Sequence, residues 1–83
     1  MKKIYESPLN GWDESAERIH VYVIESENEY WDLKEMSHEE LCEHFDVRDD
    51  SGYFVMPGAI YHTYAFDIHS NHIIVRECVA YNV

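Results

Sequence analysis

Residues 59–83 read AIYHTYAFDIHSNHIIVRECVAYNV, and this stretch decides the fold. A two-residue turn at Ser70-Asn71 sets Ile68 opposite Ile73, Phe66 opposite Val75, His62 opposite Val79 and Ile60 opposite Tyr81. These pairs share one side of the pleat, because side chains alternate along a strand. The other side receives His69 with His72, Asp67 with Ile74, Ala65 with Arg76 and Thr63 with Cys78. An apolar row backed by a mixed row is the pattern of a half-buried ribbon. The spacing predicts a long C-terminal antiparallel β-hairpin in which only Asp67, Arg76 and Glu77 are charged.

Working outward, Pro57-Gly58 suits a type II turn but fits a tight hairpin poorly, so a bend or bulge is expected where the chain enters the hairpin, after a short strand at Tyr53–Met56. Ser37-His38-Glu39-Glu40 matches the capping box, a serine N-cap with glutamate three residues on. It predicts a helix to Asp46 or Val47, with Leu41, Cys42 and Phe45 as its apolar stripe and His38 at the border. Ahead of it, Ser26–Glu29 reads as a polar loop and Tyr30–Met36 as a short strand. On that reading Trp31 and Leu33 cover Val21 and Val23, with Tyr30 exposed. Glu17–Glu25 alternates as a strand. Lys2–Glu6 is a further short strand, Asn10-Gly11 a turn, and Trp12 a cap on the edge of the core. The expected fold is a single α+β domain over residues 1–83, an antiparallel sheet of four or five strands with one α-helix.

A hydrophobic content of 46% and an aromatic content of 14% are too high for a disordered chain. Charge is the outlying property: 17 acids oppose 6 bases, a net of −11. Residues 13–50 carry 14 of those acids and three bases, so this segment holds the whole −11 and the rest sums to zero. Crowding like charge into part of a small domain works against compactness. The candidate interaction surface therefore comprises Glu25, Glu27, Glu29, Tyr30, Asp32, Glu35, Glu39, Glu40, Glu43, Asp46, Asp49 and Asp50. Its expected partner is a basic nucleic-acid-binding protein or nuclease complex. Nucleic acid itself and anionic membrane are excluded as direct partners by repulsion from phosphates.

Enzymatic signatures are absent. Three glycines, at 11, 52 and 58, make no phosphate loop, and no nucleophile motif is present. No cofactor is expected. His38 and Cys42 lie one helical turn apart, where a packed thiol is the ordinary outcome. Asp67, His69 and His72 share a face at the hairpin tip, an arrangement that could hold a divalent metal in a small metal-binding domain. Two cysteines far apart and no apolar leader point to a cytoplasmic protein with reduced thiols. The hairpin's outer edge could also pair with a second copy, giving a homodimer.

In size, acidity and lack of catalytic motifs, the chain resembles the small acidic inhibitors that phages carry against host defence, the anti-CRISPR and antirestriction proteins. Val21-Tyr22-Val23, then Tyr30-Trp31-Asp32-Leu33, then an acidic helix, is similar to the opening of ArdA-type antirestriction proteins. This echo spans under a third of the chain and lacks the glycine-bearing stretch between its segments. The resemblance implies an inhibitor that imitates the DNA bound by a restriction or CRISPR complex. An immunity protein or antitoxin covering a basic nuclease toxin would use the same charges.

Overall fold

The computed structural model describes residues 1–11 and 14–82. Trp12, Asp13 and Val83, including the proposed core cap at Trp12, lie outside the described residues. In chain order the elements are β1 (Lys2–Glu6), β2 (Asn10–Gly11), β3 (Ser15–Val23), α1 (Glu27–Glu35), α2 (His38–His44), β4 (Ile60–Ile68) and β5 (His72–Tyr81). They form an α+β fold, an antiparallel sheet in the order β1-β3-β5-β4, with β2 pairing against β3 beside β1.

The β4–β5 hairpin has the register its apolar row dictates, from Ile60 opposite Tyr81 to Ile68 opposite Ile73. Its turn closes with His69 N–H donating to the His72 carbonyl at 2.8 Å. β5 is the central strand, and its other side pairs with β3 from Ser15–Ala80 to Val23–His72. The outer strand on the β3 side is broken in two. Pro8 cannot donate to a ladder, and Ser7 bridges the gap. Its N–H donates to the Ile19 carbonyl, and its hydroxyl accepts from Ile19 N–H, both at 2.8 Å. In β2 Gly11 has φ +116, and a Cβ there would meet Ser15 O at 2.6 Å. Pro57-Gly58 forms a type II turn, with Gly58 at φ +82 and Ala59 N–H donating to the Met56 carbonyl.

Both helices serve one sheet face. Ile73 and Val75 are buried on it. Leu33 from α1 and Leu41 from α2 join Ile24 in the core cluster, with Tyr30, Met36, Phe45, Phe66 and Ile68 packed around them. Phe45 reaches across the central strand, its ring 5.0 Å from Tyr22 of β3 and 5.5 Å from Phe66 of β4. Val21 and Val23 alternate onto the opposite face with Ile19, Ile74 and Cys78, where all are half-buried.

Several sequence expectations are overturned, among them the cover of Val21 and Val23 by Trp31 and Leu33, since the helices pack on the other face of the sheet. Residues 27–35 are helical, so the described residues hold two helices rather than one, and residues 30–36 are not a strand. The reason is local: the Ser26 side chain accepts from Glu29 N–H at 3.1 Å, and Glu29 Oε1 accepts from Glu25 N–H at 3.1 Å. Tyr30 and Leu33, three apart, then share the core side of a helix. Tyr53–Met56 is irregular chain; the edge of β4 is met instead by Asp49 and Asp50, through one backbone hydrogen bond and two carboxylates. The helix at Ser37 has its capping box intact and ends at His44. Beyond it, Asp46 takes a left-handed φ of 55. Val47 N–H reaches the Cys42 carbonyl and Asp46 N–H that of Glu43, a Schellman closure.

Candidate functional site

The helical layer concentrates the charge. Residues 25–46 carry nine acids and one base, Lys34. Eight of the nine residues are exposed: Glu25, Glu27, Asp32, Glu35, Glu39, Glu40, Glu43 and Asp46. Both helix starts tolerate this, since anions near a helix N-terminus meet the positive end of its dipole. The ninth, Glu29, is half-buried and accepts from the Met1 amino group at 2.9 Å, which holds its carboxyl below the usual range.

The two aromatics are the reverse of the sequence expectation. Tyr30 packs against the core, whereas Trp31 is 54% exposed. Trp31 stands one turn from both Glu27 and Glu35. Beside it a cleft of about 400 Å³ is lined by Ile24, Glu25, Ser26, Glu27, Tyr30, Trp31 and Ser70.

Asp49 and Asp50 leave the exposed acidic set, because both turn inward to cap the outer edge of β4. Asp50 behaves like a strand residue, its N–H donating to the His62 carbonyl and its Oδ2 accepting from His62 N–H, both at 2.8 Å. Asp49 Oδ2 accepts from Tyr64 N–H at 3.1 Å and lies 2.7 Å from His38 Nε2, while Oδ1 accepts from Ser51 N–H at 2.7 Å. Burial alone would raise the Asp49 pKa. The hydrogen bonds from Ser51, His38 and Tyr64 outweigh burial and hold it at about 2. Pairing of this edge with a second copy would have to displace both carboxylates.

At the hairpin tip the His69 and His72 rings stack at 4.5 Å, but Asp67 is engaged by Arg76 Nε at 3.0 Å. Among the described residues, ligand-type side chains converge instead at His38, Cys42 and Asp49, whose donor atoms all lie within 4.8 Å of one another.

Sequence reasoning missed a second polar centre. On the helix-covered face, Glu77 of β5 is approached by His20 Nε2 at 3.0 Å, His62 Nδ1 at 3.5 Å and Arg18 Nη1 at 3.9 Å. Here a cleft of about 280 Å³ is lined by residues including Lys3, Arg18, His20, Tyr64 and Glu77. The hairpin register alone sets Tyr64 opposite Glu77. Only the β3–β5 register brings Arg18 and His20 alongside.

The class these features define is a small α+β domain with an acidic two-helix layer on one face of an antiparallel sheet. No family model, curated protein or solved structure was found to match the chain. Among the described residues, no helix is long and apolar enough to cross a membrane.

Proposed function

We propose that the protein is a non-catalytic acidic inhibitor whose helical layer occupies the basic nucleic-acid-binding surface of a defence effector, by DNA mimicry of the anti-CRISPR or antirestriction kind. The observation that carries this reading is the run of eight exposed acidic residues with one lysine over residues 25–46, the two helices and their immediate flanks. A rigid sheet behind the helices holds those charges ready, so little ordering is needed when a cationic groove arrives. Trp31 supplies a large, stiff contact surface among the carboxylates, the kind of residue that anchors interfaces. Steering by complementary charge makes such association fast and sensitive to salt.

The test is capture of partners from host lysate at low and high salt, with duplex DNA as competitor. It compares wild type with a variant carrying Asp32→Lys, Glu35→Lys, Glu39→Lys and Glu43→Lys. All four residues are exposed, so the fold should survive, as circular dichroism would verify. Capture of a nucleic-acid-binding protein that fades with salt, with DNA and in the variant supports the reading. Undiminished capture by the charge-reversed variant overturns it. A nuclease toxin as the captured partner would reassign the protein as an immunity factor or antitoxin.

A further inference from the structure

We propose that His38, Cys42 and Asp49 form a binding site for a zinc-class divalent cation, with one coordination position open to solvent. The inference is independent of the acidic surface. Positions 38 and 42 are i and i+4 on α2, which stacks the imidazole and the thiol on one helix face. The Schellman closure at Asp46 turns the chain back so that Asp49 arrives at the same place. Nitrogen, sulfur and oxygen donors thus come from one helical turn and one loop, within 4.8 Å of one another. Tetrahedral zinc, with bonds of about 2.0–2.3 Å, sets its ligand atoms about 3.5 Å apart. Small side-chain rotations cover the difference, and His38, with its side chain 53% exposed, has room for them.

The donor set selects the metal. A thiolate with an imidazole and a single carboxylate suits zinc, cobalt or nickel rather than magnesium or calcium, which take oxygen shells. Supporting groups are already placed. Ser51 N–H and Tyr64 N–H orient the Asp49 carboxylate. Cys42 is only 7% exposed and the Asp49 side chain 9%, so two of the ligands are well protected. On the outer side a cleft of about 350 Å³, lined by His38, Glu39, Asp49, Ser51, Gly52 and Tyr53, leads to the site. Three protein ligands beside an accessible cleft match sites that keep a place for water or an exogenous ligand, rather than closed four-ligand structural sites. Binding replaces the His38–Asp49 hydrogen bond with coordination. It releases the thiol proton of Cys42 to solvent, together with any proton shared by His38 and Asp49.

The test titrates chelator-stripped, reduced protein with Co²⁺. The expected result is saturation at one equivalent with a thiolate-to-cobalt charge-transfer band, and displacement of the cobalt by Zn²⁺. His38→Ala should weaken binding at least tenfold, and Cys42→Ser should abolish the band. A His69→Ala/His72→Ala variant should bind as wild type, since it removes only the hairpin-tip pair. As a second readout, Zn²⁺ should protect Cys42 from alkylation while Cys78 still reacts. No saturable binding, a signal unchanged by Cys42→Ser and His38→Ala, or loss only in the His69/His72 variant overturns the proposal. His38→Ala touches an exposed side chain, so it keeps the test decisive if Cys42→Ser fails to fold.

Discussion

At the scale of single residues, Asp49 shows how one carboxylate can be taken out of an acidic surface and given a structural task. It occupies a backbone N–H on the edge of β4, the first N–H of its own turn, and a histidine. Its folded pKa is about 2 against an ordinary 3.8. A depressed folded value means that its contribution is complete above pH ~4 and is lost as pH falls from there toward 2. The shift corresponds to roughly 2 kcal/mol. In metal-free buffer, Asp49→Asn should therefore lower stability near neutrality and flatten the acid limb of a urea-denaturation series. An acid limb identical to wild type would contradict this. The numbers 49 and 50 say only that two acids precede a turn. Which backbone groups they reach depends on β4 passing beside them.

At the scale of elements, the α1 result turns on a repeated signal. Ser26-x-x-Glu29 has the same form as Ser37-x-x-Glu40, eleven residues later, and both serines cap helices. The second is reinforced by the apolar stripe Leu41, Cys42 and Phe45 that follows it. At the first, Tyr30-Trp31 suggested a strand, since aromatics favour strands, and the weak apolar pattern offered little to oppose that. Ser26→Ala and Ser37→Ala should each lower stability by about 1 kcal/mol, the usual worth of an N-cap. Thermal or urea denaturation of the two variants checks this, and a Ser26→Ala variant as stable as wild type would argue against the α1 cap. The hairpin, by contrast, was legible residue by residue. Its register follows from local pairing about one turn, and a slip by one residue would put its apolar row in water.

At the scale of the whole molecule, a net of −11 on 83 residues sets folding against the proposed partner binding. Self-repulsion within the helical layer is screened by salt, so raising NaCl from low to moderate concentration should raise the melting temperature. The same screening should weaken attachment to a basic partner. Calorimetry across a salt series, run beside the capture experiment, would reveal the opposing trends. A melting temperature that falls with salt would mean that ion pairs, such as those around Glu77, outweigh the repulsion.

The sequence by itself determined the hairpin and its register, the α2 capping box, the acidic segment and the apolar rows that make a core. These depend on neighbours in the chain or on strict alternation. Only the tertiary structure decided which acids stay in solvent, that Trp31 rather than Tyr30 is exposed, that Glu77 gathers bases from β3 and β4, and that Asp49 joins His38 and Cys42. Each of those outcomes needs distant segments to be brought side by side, and the packing of the helices and loops on the sheet does this.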